Sequence, residues 1–159
     1  MRIFIFILSS LFLLSGCVSK KILVSDDLLF EQALIKSKSV RIQDANGKVV
    51  AYILATYINE VTNEIITDTN SERFFITIYQ AQEASKIQDL HFTINGDSQN
   101  THVQKLDPKD PLIAKFAKQN SWSDYFLVTS KKQNTRTILV EFLNKEHAKV
   151  GVNFSKNYF

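Results

Sequence analysis

The sequence predicts a mainly β fold, a single-domain antiparallel β-sandwich of about seven or eight strands with two short helices. Short segments in which apolar and polar residues alternate recur along the chain, and this period of two is typical of half-buried strands. Only two segments carry the spacing of a helix. With 45% hydrophobic residues and only four glycines and two prolines in 159 residues, the chain is expected to fold around a core.

The first helix is predicted from Asp26 to about Lys36, with Ser25 as its N-cap. Asp27 and Glu31 lie near its start, where the helix dipole favours acidic side chains. The apolar residues cover a broad stripe, which indicates packing against a sheet. They are Leu28, Leu29, Phe30, Ala33, Leu34 and Ile35.

A β-hairpin is predicted next. Val40 and Ile42 lead into Asp44-Ala45-Asn46-Gly47, and Asn-Gly between apolar runs favours a type I′ turn, in which both central residues take positive φ. The returning strand, Val49 to about Glu60, is rich in β-branched and aromatic residues, which suit a pleated surface. Residues 62–71 are polar and predict a loop.

The middle of the chain predicts strands at residues 73–79 and 90–94, and a short edge strand at residues 102–106. A second helix is expected to begin at Asp110-Pro111, where an N-cap precedes proline in the first helical position, and to end near Asn120.

Three strands are predicted at the end of the chain, at residues 124–130, 135–143 and 148–154, joined by polar turns as a meander. An immunoglobulin-like sandwich is the preferred architecture for this set of elements. The alternatives are an α+β sheet with a helix across one face, and a lipocalin-like barrel.

The first residues have the pattern of a secretory signal peptide, with Arg2, an apolar run over residues 3–14 and small residues before a cleavage site. This run is shorter than the about 20 apolar residues that cross a bilayer. It ends in Leu14-Ser15-Gly16-Cys17, and Cys17 is the one cysteine of the chain. The tetrad resembles the lipobox of bacterial lipoproteins, with leucine at −3, a small residue at −2, glycine at −1 and cysteine at +1.

The resemblance covers residues 1–17 only, and it implies cleavage between Gly16 and Cys17. It also implies a diacylglycerol on the thiol of Cys17 and a fatty acid such as palmitate on its amine; no other cofactor is expected. Residues 1–16 would be removed, residues 17–25 would form a short tether, and residues 26–159 would form the β-rich domain. The protein is therefore expected at the membrane of a bacterial cell envelope.

Val18 follows the cysteine, where aspartate would resemble an inner-membrane retention signal in enteric bacteria. This favours the outer membrane, facing the periplasm, with the inner membrane and the cell surface as alternatives. The formal net charge is +3, from 19 basic and 16 acidic residues with no basic cluster, so no nucleic-acid partner is expected.

No catalytic or metal-binding motif is found in the sequence. The glycines are isolated, so no phosphate-binding loop is predicted, and His91, His102 and His147 are far apart. Asp68-x-Asn70-x-Glu72 is similar to the start of a calcium loop, but Arg73 stands at the position that requires glycine. We therefore expect neither an enzyme nor a metal site.

Four aromatic residues are the candidates for a ligand or partner surface. Trp122 precedes a strand that contains Tyr125, and a tryptophan beside tyrosines can line a ligand or carbohydrate groove. Tyr52 and Tyr57 are an odd number of residues apart in one strand, so one of them must point away from the core. Core packing is the alternative for all four.

The sequence thus predicts a non-enzymatic, lipid-anchored envelope lipoprotein that binds or scaffolds an envelope protein or another envelope component. A small-molecule or lipid-binding carrier with an apolar cavity is the alternative, and an envelope hydrolase is a third.

Overall fold

The computed structural model describes residues 26–61, 70–81, 90–144 and 149–156. The predicted signal peptide, Cys17 and the tether lie outside the described residues, as do Asp68 and His147. Within the described residues the prediction of a mainly β sandwich is confirmed, with eight strands in two antiparallel sheets and two α-helices.

The elements follow one another in the order expected from the sequence. They are α1 (Asp26–Ile35), β1 (Ser37–Gln43), β2 (Val49–Tyr57), a 3-10 turn (Ile58–Glu60), β3 (Ser71–Gln80), β4 (His91–Ile94), β5 (Thr101–Lys105), α2 (Pro111–Phe116), β6 (Ser123–Lys131), β7 (Thr137–Leu143) and β8 (Val150–Ser155). The second helix ends earlier than expected, because the backbone at Ala117 is already extended.

The larger sheet has the strand order β1-β2-β3-β6-β5, and the smaller sheet has the order β4-β7-β8. If β3 is set aside, this is the order of a constant-type immunoglobulin domain. With β3 inserted between them, β2 and β6 are both antiparallel to β3 and so run parallel to each other. Within the described residues neither sheet closes into a barrel.

Side chains from both sheets fill the space between them. Phe74 and Ile76 of β3 are fully buried, as are Val140 and Phe142 of β7. Aromatic rings pack across this space, with 5.2 Å between the centroids of the tilted rings of Phe74 and Phe154. Such a pair contributes about 0.5–1.5 kcal/mol beyond its buried area.

The two α-helices form a third layer on the outer face of the larger sheet. Ile113 and Phe116 of α2 are buried there against Phe75 of β3. The alternative prediction, a sheet with a helix across one face, therefore describes this outer layer. The main core nevertheless lies between two sheets, so the fold is a sandwich.

The sequence predicted that a broad apolar stripe of α1 would pack against the sheet, and this prediction is wrong. Among residues 28–35 of this helix only Leu29 and Ala33, which lie one helical turn apart, are buried, because a single line of the helix contacts the layer below. Leu28, Leu34 and Ile35 on the remaining circumference are 38%, 46% and 80% exposed.

The first hairpin is confirmed, but its turn is not of type I′. Gly47 has φ +78°, whereas among the described non-glycine residues only Asn95 has positive φ, so Asn46 does not. The Asp44 carboxylate instead accepts hydrogen bonds of 2.9 Å from the backbone N–H groups of Asn46 and Lys48. The glycine thus supplies the left-handed residue of a three-residue loop. The register of the hairpin also shifts between Ile42 and Gln43.

Candidate functional site

Four residues from four neighbouring strands share one line across the outer face of the larger sheet. Arg41 pairs with Tyr52, Tyr52 with Tyr79, and Tyr79 with Ser123. Residues opposite one another in a sheet project to the same side, and the neighbours of Tyr52 in β2, Ala51 and Ile53, point into the core. We call these four residues, Arg41, Tyr52, Tyr79 and Ser123, the outer row.

The aromatic members of the outer row are only partly covered. Tyr52 is 45% exposed, and the guanidinium of Arg41 lies 5.5 Å from the centre of its ring. Burial raises the pKa of Tyr79 above its ordinary value of 10.0, and the nearby Tyr125 raises it further. The Tyr79 phenol therefore remains protonated at neutral pH and can donate a hydrogen bond.

A groove of about 670 Å³ adjoins the Ser123 end of the outer row. Its lining comprises Lys105, Leu106, Pro108, residues 119–121 and residues 123–125. Trp122, which is 60% exposed, stands between two of these segments in the sequence but is not itself one of the lining residues. We call this feature the Trp122 groove.

An ion pair neutralises the charge in the Trp122 groove. The ammonium of Lys105 lies 2.6 Å from Oδ1 of Asp124, and the amide nitrogen of Gln80 donates a 2.9 Å hydrogen bond to the other carboxylate oxygen. The remaining polar lining groups are amides and hydroxyls. The groove thus presents neutral hydrogen-bonding groups around one compensated carboxylate.

The hydroxyl of Ser123 lacks a hydrogen-bond partner, and it is the one buried side-chain oxygen or nitrogen of the described residues in this condition. A buried polar group without a partner costs about 1–3 kcal/mol, so such groups are rare. Here the group belongs to both the outer row and the Trp122 groove.

Tyr125 forms part of the wall of the groove. Its ring is 3% exposed, and the ring centroid lies 6.0 Å from that of Phe75. Tyr125 is therefore a core residue, which was the alternative prediction for it. Its hydroxyl accepts a 3.2 Å hydrogen bond from the backbone of Asn120 and donates one of 3.4 Å to the carbonyl of Lys118. Tyr125 therefore fixes the loop that carries the amide side chains of the groove.

Tyr57 lies elsewhere, on the inner face of β2, and is 5% exposed. Its hydroxyl donates a 2.5 Å hydrogen bond to Oε2 of Glu72. Oε1 of Glu72 accepts from the ammonium of Lys156 at 2.5 Å and from the backbone N–H of Gln133 at 2.7 Å. We call this set the Glu72 network.

The structure thus separates the four predicted aromatic residues. Tyr52 and Trp122 are exposed, while Tyr57 and Tyr125 are buried, as the opposite faces of Tyr52 and Tyr57 require. Tyr79, Ser123 and Asp124 were not among the residues predicted from the sequence. The sequence pattern did indicate the orientation of Tyr79, because this residue alternates with the apolar residues of its strand and must face outward.

A second groove of about 620 Å³ borders β4 and β7. Glu141 lies there, with its carboxylate 2.5 Å from the ammonium of Lys149 and 2.9 Å from the hydroxyl of Thr93. The hydrogen bond from Lys149 holds the pKa of Glu141 below its ordinary value, with a smaller contribution from Thr93, against the opposing effect of burial. Both carboxylate oxygens are therefore occupied.

Comparison with protein-family models, with curated proteins and with solved structures finds no match to this chain. Within the part of the chain that the structure describes, no helix has the length and apolar character needed to cross a bilayer. Across those same ranges, no three His, Cys, Asp or Glu side chains converge in a way that would hold a metal ion.

Proposed function

We propose that this protein is a lipid-anchored envelope lipoprotein whose β-sandwich binds another component of the cell envelope. The observation that carries the proposal is the tetrad Leu14-Ser15-Gly16-Cys17, which stands a short distance before the first helix of the folded part, at Asp26. The residues between Cys17 and Asp26 span at most about 30 Å when extended, so the sandwich would stay close to the bilayer.

Covalent lipid accounts for the anchoring. Each buried methylene contributes about 0.8 kcal/mol, and two or more acyl chains hold a protein stably where one chain binds only reversibly. A diacylglycerol on the thiol of Cys17 together with an acylated amine would supply three chains.

A filled interior favours a surface-binding module over a carrier. Phe74, Ile76 and Val140 are each 0% exposed in the space between the sheets, where a carrier would need an apolar cavity. The described grooves lie on the outside of the sandwich. A ligand or partner would therefore contact the surface rather than enter the core.

The state of the carboxylates favours binding over hydrolysis. Glu72, Asp124 and Glu141 each form an ion pair with a lysine, at 2.5, 2.6 and 2.5 Å. A general acid or base must exchange a proton with the substrate, and its pKa must lie near the operating pH. The depressed pKa of Glu141 moves away from that range.

Metabolic labelling with palmitate, followed by membrane fractionation, tests the anchor. The wild-type chain is expected to take up label and to sediment with membranes. A Cys17→Ser variant should lose the label and appear in the aqueous fraction, whereas a matched Ser15→Ala variant, which keeps a small residue before the cleavage site, should behave as wild type. Intact-mass spectrometry showing a bare thiol at Cys17 would refute the proposal.

A further inference from the structure

We infer that the exposed side of α1 docks on the phospholipid surface of the membrane and fixes the orientation of the sandwich there. This inference rests on the proposed function, because the lipid on Cys17 would bring the start of α1 to that surface. It adds which side of the protein meets the bilayer: the helical layer faces the lipid, and the smaller sheet faces away from it.

The helix α1 carries apolar side chains on both of its sides. Leu29 and Ala33 are buried against the fold, while Leu34 and Ile35 project from the other side and are 46% and 80% exposed. A surface helix of a globular domain is normally polar opposite its buried stripe, and a helix that is apolar all round is normally covered all round. The exposed side of α1 thus has the composition of a contact surface. We call Phe30, Leu34 and Ile35 the α1 face.

Exposed apolar side chains are concentrated on α1 within the part of the chain that the structure describes. The exposed large apolar residues there are Leu28, Leu34 and Ile35 of α1, together with Tyr52, Val103 and Trp122, which lie singly on three other segments. Single exposed apolar residues are ordinary, whereas a cluster of them marks a contact site for protein or membrane.

The position of α1 next to the tether favours the bilayer as the occupant. The residues between Cys17 and Asp26 span at most about 30 Å, and the ten residues of α1 add about 15 Å. The α1 face is therefore the cluster of exposed apolar side chains that follows the anchor directly, and the tether is long enough for the helix to lie along the headgroups.

Exposed lysines border the α1 face. The ammonium of Lys118 lies 5.7 Å from the centre of the Phe30 ring, and Lys38 lines a small pocket together with Ile35. A lysine at the edge of an apolar patch can lay its stem along the patch and keep its ammonium among the lipid headgroups. Aromatic or aliphatic residues flanked by lysines are typical of a helix that lies in the membrane interface.

The remaining charges near the α1 face do not reverse this balance. Glu31 is exposed on the same helix, and the neighbouring Lys36 is compensated by Glu60 at 2.9 Å. Among the described residues, the exposed charges bordering the face are thus two lysines and one glutamate. This balance suits a bilayer that contains anionic phospholipid.

The size of the α1 face favours a bilayer over a protein partner. A stable protein interface buries about 800 Å² on each side and takes about 20–30 residues, whereas the α1 face consists of three side chains. A bilayer contact can be this small, because the anchor already holds the helix at the surface and the second contact is then intramolecular.

A nitroxide spin label can measure which side of the protein meets the bilayer. Under the proposed function the one cysteine of the chain carries the lipid, so an introduced cysteine is the single free thiol. Ile35→Cys places the label in the α1 face. Asn153→Cys places it on the opposite side of the sandwich, because Asn153 is exposed between Val152 and Phe154, which point into the core.

The full lipidated chain would be reconstituted in vesicles of phosphatidylethanolamine and phosphatidylglycerol. The accessibility of each label to oxygen, which concentrates in the bilayer, is then compared with its accessibility to a nickel chelate, which stays in water. The expected oxygen-to-nickel ratio is about threefold or more higher for the Ile35 label than for the Asn153 label. A domain that tumbles freely on its tether would give equal ratios.

Two matched variants test whether the α1 face causes this orientation. Leu34→Glu in the Ile35-labelled protein should lower the ratio to that of the Asn153 label, because a carboxylate would have to leave water to enter the interface. Val103→Glu makes the same change of charge at a 44% exposed residue of the edge strand β5 and should leave the ratio unchanged. Both replaced side chains are exposed, and urea denaturation checks that both variants remain folded.

Equal ratios for the two labels would overturn the inference, as would a Leu34→Glu variant that keeps the high ratio. Shielding of the Ile35 label from both reagents would mean that protein covers the face, and spin–spin broadening would identify that protein as a second copy of this chain; either result overturns the inference. A failure of the proposed function has a different signature. Intact-mass spectrometry of the same sample would then show an unmodified thiol at Cys17, and the docking would be refuted together with the anchor.

Discussion

Two lysine–carboxylate pairs of this sandwich have nearly equal lengths and opposite surroundings. The Lys156–Glu72 pair, at 2.5 Å, has side chains that are 9% and 2% exposed. The Lys105–Asp124 pair, at 2.6 Å, has side chains that are 57% and 20% exposed. The first connects the end of β8 to β3 inside the fold, and the second borders the Trp122 groove.

The difference between the two pairs shows which one the fold depends on. In the Glu72 network both carboxylate oxygens are occupied, and Lys156 also donates to the carbonyl of Gln133. Losing one partner of such a buried pair strands a charge away from water, which is strongly destabilising. An exposed pair is solvated with or without its partner, so it contributes little to stability and its groups are available for recognition.

Lys156→Met is expected to have the largest effect, because it leaves the Glu72 carboxylate buried without its counter-ion. The free energy of unfolding should fall by about 3–5 kcal/mol, as is typical when one partner of a buried pair is removed. Urea denaturation at pH 7 measures it. The double variant Glu72→Leu/Lys156→Met should recover part of this loss, since no unpaired charge remains.

If Lys156→Met lowers the free energy of unfolding by less than about 1 kcal/mol, the Lys156–Glu72 pair does not behave as a buried pair, because a loss of that size is expected of a surface pair. A double variant less stable than the single one would also contradict this description of the pair. The measured coupling would then mean that packing, rather than charge, dominates at this end of the sandwich.

Glu141 and Lys149 form an intermediate case, with side chains that are 9% and 54% exposed. The hydrogen bond from Lys149 lowers the pKa of Glu141 below its ordinary value of 4.5, so folding favours the ionised form. The stabilisation is therefore complete above pH 4.5 and is lost as the pH falls through the lower, folded-state pKa. The free energy of unfolding should decrease on acidification in this range.

Glu141→Gln removes this titration, so its free energy of unfolding should decline less than that of wild type between about pH 5 and about pH 3. Parallel urea curves at several pH values give the two slopes. Equal slopes would show that Lys149 does not shift the titration of this carboxylate. Glu31→Gln, on the exposed side of α1, is the matched control and should follow wild type.

The sequence contained the elements of this fold but not their pairing. Alternation within a segment predicts a strand because the period of side chains is local, and the exposed Trp122 stood out within a polar stretch. The outer row required the order β1-β2-β3-β6, which no local pattern encodes. The partners Glu72 and Lys156 are 84 residues apart, so only the packing of two sheets brings them together.

Lys105→Met is expected to have the smallest effect on stability and is the sharpest contrast to Lys156→Met. Asp124 stays partly exposed and keeps its hydrogen bond from Gln80. The contact of the Lys105 ammonium with the Phe126 ring, at 5.9 Å, is lost, but such a contact contributes little at an exposed site. The free energy of unfolding should change by less than about 1 kcal/mol. Urea denaturation under the same conditions as for Lys156→Met measures it, and a loss of about 3 kcal/mol or more would place this pair in the same class as the buried one.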